Sequence, residues 1–245
     1  MAAEHIIKSY DEELQRLNRI IVEMGGLAES QLASAIEAVV KRDSELAGSV
    51  IEGDQTVDQL ERDLDNLAIR LLALRQPMAR DLREIVAALK IASDLERICD
   101  YAANVAKRSI ALSQSPPIAP VHALPRMAHL ALMLIKDVID AYVARDADKA
   151  IVVWHRDEEL DEMYSSLFRE FLTYMMEDVR NIGIYTHMLF MAKNIERIGD
   201  HATNIAENLY YLVHGTPLTE SRPKGDKSSL EVVTADRPAS QPAAR

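Results

Sequence analysis

The chain is poor in the residues that characterise disulfide-linked and β-rich proteins. It contains one cysteine, Cys99, which excludes an intrachain disulfide and suits a reducing compartment. Aromatic residues make up 5% of the 245 residues, with eight glycines and nine prolines, whereas the strong helix formers Leu, Ala, Glu, Arg and Met are abundant. This composition predicts an all-α fold.

Long apolar segments and an excess of positive charge are also missing. The longest apolar runs, such as residues 130–135, fall far short of the about 20 residues that span a membrane, and the N-terminal segment is charged almost from its start. We therefore expect a soluble, cytoplasmic protein without direct membrane insertion. The formal net charge of −11 argues against nucleic-acid binding and favours cations as partners.

The sequence carries no recognisable catalytic signature. None of the seven histidines follows an acidic residue at the spacing of the Glu-x-x-His pairs that bind di-iron centres in helix bundles. A P-loop, a glycine-rich dinucleotide turn and a nucleophile elbow are absent as well. We therefore expect that the protein is not an enzyme, and a carboxylate-bridged metalloenzyme is the weakest of the interpretations considered.

Apolar residues recur at helical spacing along most of the chain and predict long helices. The pattern starts near Ser9, and Asp43 resembles the N-cap of a second helix, which Pro77 ends. A third helix is predicted from about Met78 to about Leu112. A helix of about 30 residues would be about 45 Å long.

Two stretches recur along the chain and indicate an internal duplication. AVVKRDSELA at residues 38–47 corresponds to AYVARDADKA at residues 141–150, where Asp146 is a second predicted N-cap. ERICDYAANVA at residues 96–106 corresponds to ERIGDHATNIA at residues 196–206. The sequence therefore predicts six helices in a tandem repeat of two three-helix bundles.

The duplication divides the chain into three predicted parts. Residues 1–115 form the first repeat and residues 116–215 form the second, with a proline-containing linker, SQSPPIAP, at the junction. Residues 216–245 contain four of the nine prolines and no helical pattern. This composition predicts a disordered C-terminal tail.

The last helix of each predicted repeat carries two acids one helical turn apart. Glu96 and Asp100 share one face of the third helix, and Glu196 and Asp200 share the same face of the sixth. Like charges at this spacing cost a helix about 0.2–0.5 kcal/mol. A duplicated pair therefore calls for a compensating interaction.

The middle helices carry acid pairs at matching heights. Asp58 lies 18 residues before Gln76 and Glu96 lies 18 residues after Met78, so an antiparallel hairpin places these two acids face to face. The same count places four carboxylates at one height in each repeat. The eight predicted site residues are Asp54, Asp58, Glu96, Asp100, Asp157, Asp161, Glu196 and Asp200.

Four converging carboxylates predict a cation between them. In a half-buried site they cannot all stay ionised unless a cation neutralises them or their pKa values rise. Arg97 and Arg197 lie about 100° around their helices from the acids and are expected to be poor partners. Oxygen ligands suit hard cations, so we expect a metal cluster of Fe, Mn, Mg, Zn or Ca, whose identity the motif does not determine. The alternative is a metal-free helical scaffold whose acidic stripes only contact partner proteins.

Taken together, these motifs resemble the PhoU family over about residues 9–215. The resemblance rests on the duplicated ERIxD helices, VIEGDQTVDQLE at residues 50–61, Met24 with the two glycines that follow it, and TYMMEDVRNI at residues 173–182. It implies a tandem of three-helix bundles in a cytoplasmic negative regulator of phosphate uptake and of the phosphate (Pho) regulon. The implied partners are the ATPase subunit of the phosphate-specific ABC transporter and the sensor histidine kinase of the regulon. The resemblance also implies metal binding through E(D)xxxD motifs, which the eight carboxylates match.

The exposed faces of such long helices favour self-association, and we expect a homodimer. The two repeats also differ in ways that predict unequal sites. Cys99 occupies the position of Gly199, and Lys107 occupies the position of Glu207. The cysteine is expected either to narrow the first site or to add a soft ligand beside it.

Gly25 and Gly26 interrupt an otherwise helical pattern. Two glycines inside a helix cost about 1 kcal/mol each relative to alanine. The sequence leaves two interpretations open, a kink in the first helix or the close approach of another helix or a partner.

Overall fold

The computed structural model describes residues 2–116, 123–220, 222 and 225–226. Within these residues the chain forms six α-helices and one short 3-10 helix, which confirms the predicted all-α fold. None of these helices has an apolar stretch long enough to cross a membrane. The elements are α1 Ala2–Lys41, α2 Ser44–Arg75, α3 Arg80–Ser113, α4 Ala123–Ala144, α5 Ala147–Glu177, the 3-10 helix Val179–Asn181 and α6 Ile182–His214.

The helices are organised as two bundles that lie side by side. Helices α1, α2 and α3 pack together, as do α4, α5 and α6, while contacts of α3 with α6 and of α1 with α4 join the bundles. The apolar face of each helix supplies one continuous core, in which Trp154 is 2% exposed. The predicted tandem of two three-helix bundles is therefore confirmed.

Both predicted N-caps lie at the start of the middle helices. The Asp43 carboxylate accepts hydrogen bonds from the N–H groups of Glu45 and Leu46, each at 3.0 Å. Asp146 accepts one from the N–H of Lys149 at 3.0 Å. These contacts satisfy backbone donors that have no partner inside the helix.

The first helix is longer than the sequence pattern predicts. It begins at Ala2 and not near Ser9. The apolar periodicity is weak before Ser9, but the segment contains neither proline nor glycine to stop the helix. The predicted start was therefore wrong by about two turns.

One glycine of the pair lies at a close approach between α1 and α4, which are one of the two helix pairs that join the bundles. A Cβ atom added to Gly25 would lie 2.8 Å from Cγ1 of Ile139 in α4, whereas one added to Gly26 would meet nothing within 4 Å. Helix α1 continues through both residues. The structure therefore favours close helix packing at Gly25.

A polar network also joins the bundles. Glu84 of α3 accepts a hydrogen bond from Nδ2 of Asn18 in α1 at 3.0 Å and pairs with Arg145, which follows α4. Nη2 of Arg145 also donates to Oδ1 of Asn18 at 3.0 Å. Three elements from both bundles therefore meet at one ion pair.

Candidate metal sites

The first site lies between α2 and α3 and contains Asp54, Asp58, Glu96 and Asp100. Burial raises the pKa of Asp54, and the negative charges of Asp100 and Asp58 raise it further. Burial likewise raises the pKa of Glu96 to about 7, with additional contributions from Asp100, Glu61 and Asp58. The structure thus brings the acids of the two helices close enough to repel each other across the hairpin.

Arg97 contacts both acids of its own helix, contrary to the expectation that it is a poor partner. Its Nη1 donates to Oδ2 of Asp100 at 3.2 Å, and its Nε lies 3.5 Å from Oε2 of Glu96. Rotation of the long side chain overcomes the 100° separation along the helix. Because the Arg97 side chain is 54% exposed, these ion pairs are weak.

Cys99 and Glu61 add to the first site. The Cys99 thiol is buried, and burial together with the surrounding carboxylates raises its pKa well above the usual value. In the absence of a metal ion the thiol is therefore neutral. Glu61 is a further acid that is not among the eight predicted site residues, although it lies three residues after Asp58 on the same helical face.

The second site lies between α5 and α6 and is more deeply buried. Asp157, Asp161 and Glu196 are 1%, 3% and 5% exposed, whereas the fourth acid, Asp200, is half-buried. Burial raises the pKa of Asp157 to about 6 and that of Glu196 to about 7, despite nearby cationic groups that lower both values. The cationic groups therefore offset only part of the cost of desolvating these two carboxylates.

The depth of the second site depends on Gly199. A Cβ atom at this position would overlap Oδ1 of Asp157 and Cδ2 of Leu160. Without a side chain here, Asp157 packs directly against the α6 backbone. Cys99 occupies the equivalent position in the first site, where Asp54 is only half-buried.

Residues of the predicted disordered tail contact the second site. Arg222 pairs with Asp157 and Asp200, its Nη2 lying 2.7 Å from Oδ1 of Asp200. The N–H of Gly225 donates to Oδ2 of Asp161 at 2.9 Å. These positions depart from the expectation of disorder, while most of the tail lies outside the described residues. No pattern in the sequence predicts these contacts, because Arg222 follows Asp157 by 65 positions.

Lys193 completes the polar surroundings of the second site. Its Nζ lies 2.8 Å from Oε1 of Glu196 and 3.0 Å from Oδ2 of Asp226. Its ammonium also lies 4.7 Å from the centre of the Tyr164 ring. Lys193 of α6 therefore contacts both Glu196 and Asp226 of the tail.

The first repeat has Lys107 at the position where the second repeat has Glu207, and these two side chains have different roles. Lys107 lowers the pKa of Asp54, so its charge acts on the first site. Glu207 accepts a hydrogen bond from Nε1 of Trp154 at 2.9 Å. It therefore satisfies a buried indole and does not extend the second acidic cluster.

The donor chemistry of both sites fits a hard cation, although the side chains are not arranged around one. No three His, Cys, Asp or Glu side chains among the described residues converge on a single ion position. Oδ1 of Asp157 and Oε2 of Glu196 are buried without a hydrogen-bond partner, so each has an oxygen available for a ligand. Carboxylates in this arrangement would bind a cation after rotating away from Arg97 or Arg222.

Comparison with known proteins gives one consistent family. The PhoU domain model matches residues 21–109 and 124–209. A phosphate-specific transport system accessory protein PhoU homolog from Caulobacter vibrioides is 51% identical over 224 residues, which cover 91% of this chain and 97% of that protein.

Two crystal structures are also similar to this chain. PhoU from Pseudomonas aeruginosa is 39% identical with a TM-score of 0.82, covering 84% of this chain and 100% of that one. The phosphate transport system regulatory protein PhoU from Streptococcus pneumoniae is 31% identical with a TM-score of 0.80, covering 86% and 100% respectively.

Proposed function

This chain belongs to the PhoU family, and from that premise we propose that it is a negative regulator of phosphate uptake and of the phosphate regulon. PhoU proteins are accessory and regulatory proteins, so a non-enzymatic role follows from family membership. The observation that carries the proposal is the family match in both bundles, supported by relatives named for the phosphate-specific transport system.

We propose that the protein acts in the cytoplasm as an adaptor between the ATPase subunit of the phosphate ABC transporter and the sensor histidine kinase. Exposed apolar residues at the ends of both helical hairpins support a docking role. Met78 is 80% exposed beside the α2–α3 turn, and Val179 is 72% exposed beside the α5–α6 turn. Leu74 and Met176 are also exposed near these two turns, and grouped exposed apolar residues favour contact with other proteins.

Deletion of the gene tests the regulatory role. In phosphate-rich medium the deletion strain should express phosphate-starvation genes and take up labelled phosphate faster than wild type. Restoring the intact gene should reverse both effects. Unchanged gene expression and unchanged uptake in the deletion strain would contradict the proposal.

We further propose that the two acidic sites bind hard metal ions. Support comes from the four-carboxylate composition of each site and from the unpartnered buried oxygens of Asp157 and Glu196. Elemental analysis of protein purified without a polyhistidine tag should find Mg, Mn, Fe, Zn or Ca at a stoichiometric level. The Asp100→Asn variant should lose metal from the first site, while Glu52→Gln, which alters an exposed acid, should retain it.

The metal-free scaffold is the alternative outcome. It is favoured if wild-type protein contains none of these metals at stoichiometric levels and the Asp100→Asn variant still restores regulation. The proposed homodimer is tested separately by sedimentation of the full chain, where a single monomeric species at micromolar concentration would contradict it.

A further inference from the structure

We propose that the second site contains a ligand supplied by the chain itself. Arg222, Gly225 and Asp226, called here the docked segment, contact the groups of this site and compete with any free cation. The competition rests on the metal-binding role proposed above, whereas the docking itself rests only on contacts within the chain.

Arg222 contacts two of the acids that a bound cation would have to contact. It pairs with Asp157 of α5 and Asp200 of α6, so one positive group bridges the two helices of the site. Its side chain is only 16% exposed. Ion pairs at this depth are less screened by solvent than surface pairs, and the planar guanidinium suits contact with two carboxylates.

Gly225 fits closely against the surface of α5. A Cβ atom added to Gly225 would lie 3.0 Å from Cβ of Asp161 and 3.0 Å from the carbonyl oxygen of Glu158. The N–H of Gly225 donates to Asp161 at this close approach. Only a residue without a side chain sits here without moving the helix or the tail, which indicates a specific docking position.

Every acid of the second site has a partner that the docked segment supplies or contacts. Arg222 pairs with Asp157 and Asp200, and the Gly225 N–H donates to Asp161. Glu196 pairs with Lys193, which Asp226 also contacts. The segment therefore engages the whole site and not one surface acid.

The first site lacks this arrangement in the part of the chain that the structure describes. Its acid pair contacts Arg97 of the same helix, a side chain that is 54% exposed. Rotation of a single exposed side chain would free Glu96 and Asp100. The second site requires release of a docked segment, so the two sites should differ in cation affinity even though the same four acids are predicted in each repeat.

The affinity difference can be measured directly with Mn²⁺ as the probe. The full-length chain is prepared metal-free with the first site disabled by Glu96→Gln and Asp100→Asn, and Mn²⁺ binding is followed by calorimetry. Arg222→Gln removes the competing charge, whereas Gly225→Leu keeps the charge and blocks docking. Each should tighten binding of Mn²⁺ at the second site about tenfold or more, because the competing docked state is removed.

Arg180→Gln is the matched control. Arg180 pairs with Asp178 in the turn before α6, and its side chain is 87% exposed. This variant also removes one arginine, so it corrects for the change in net charge. Its Mn²⁺ affinity should equal that of the parent protein.

Tail docking has a readout that requires no metal. Trypsin cleaves after Lys224, whereas the bond after Arg222 precedes Pro223 and resists the enzyme. In metal-free protein, cleavage after Lys224 should be slow and should accelerate in the Arg222→Gln variant. Adding Mn²⁺ to the protein with Arg222 intact should also accelerate it.

Each result bears on a distinct claim. Equal cleavage rates with and without Arg222 would show that the tail is not docked and would overturn the inference. Equal Mn²⁺ affinities of the parent and both tail variants would overturn the competition while leaving metal binding intact. Failure of Mn²⁺ to bind the wild-type chain or any variant would overturn the proposed metal-binding role as well.

Discussion

Glu96 and Glu196 retain their protons to a higher pH than exposed glutamates do. Burial is the largest cause, and the neighbouring carboxylates add to it. The uncharged form of each glutamate is favoured because protonation removes a negative charge that repels the neighbouring carboxylates. A bound cation would reduce the same repulsion. Protons and metal ions should therefore compete for both sites.

We expect the Glu96→Gln variant to remove part of the pH dependence of folding in metal-free protein. The pKa of Glu96 rises from 4.5 to about 7 on folding, so its protonation stabilises the folded state. This contribution is complete below pH 4.5 and is lost as the pH rises through about 7. The contribution of Glu96 to the free energy of unfolding should fall by about 1–2 kcal/mol across this window, allowing for solvent screening.

Urea unfolding between pH 4.5 and 8 in the presence of a chelator measures this effect. The variant should show a flatter profile, whereas Glu52→Gln, which alters an exposed glutamate, should follow the wild type. Parallel profiles for all three proteins would contradict the assignment of the raised pKa to Glu96.

Within helix α1, two adjacent glycines have different surroundings. Gly25 lies against Ile139 of α4, whereas Gly26 is exposed and has no neighbour within 4 Å of an added Cβ. The backbone of α1 is helical at both positions. Substituting each glycine in turn therefore measures two effects separately. Gly25 reports on the packing of α1 against α4, and Gly26 reports on the intrinsic cost of a glycine in a helix.

We expect Gly26→Ala to stabilise the protein by about 0.5–1 kcal/mol, because alanine has the higher helix propensity. Gly25→Ala should destabilise it by about 1–2 kcal/mol, because the strain of the methyl group against the Ile139 side chain exceeds the same gain in helix propensity. Thermal unfolding of both variants under identical conditions provides the comparison. If both substitutions stabilised the protein, the close approach of α1 and α4 would be wrong.

At the scale of the whole molecule, the two bundles are joined by packing and by half-buried polar groups. Glu84, Arg145 and Asn18 come from α3, the α4–α5 turn and α1, and they meet where the bundles touch. The Glu84 side chain is 16% exposed and that of Arg145 is 30% exposed. Removing one charge of such a pair leaves the other desolvated without its partner.

We expect Arg145→Ala to lower the free energy of unfolding by about 1–3 kcal/mol. A double-mutant cycle with Glu84→Ala should give a coupling energy of about 0.5–3 kcal/mol, because the two side chains are in direct contact. Arg70→Ala serves as the comparison, since Arg70 is 67% exposed and lies 3.8 Å from Glu13. That substitution should change stability by less than about 0.5 kcal/mol. Additive effects of the two alanine substitutions would exclude the proposed role of the ion pair.

Local features of the chain were predictable where short-range physics decides them. Asp43 and Asp146 cap helices because a carboxylate after a turn reaches backbone N–H groups two or three residues ahead. The hairpin count placed Asp58 opposite Glu96 because helices have a fixed rise per residue. The predicted start of α1 was wrong, because no proline or glycine marks where this helix begins.

The sequence by itself determined six helices and their duplication, because both follow from periodicity and spacing along the chain, while its motifs resemble those of the PhoU family. Only the tertiary structure decided that Gly25 packs against Ile139 and that Arg222 lies among the acids of the second site. These contacts join residues far apart in the sequence, and their free energies depend on burial and on which groups exclude solvent. The difference between two sites with the same four acids is therefore a property of the folded chain.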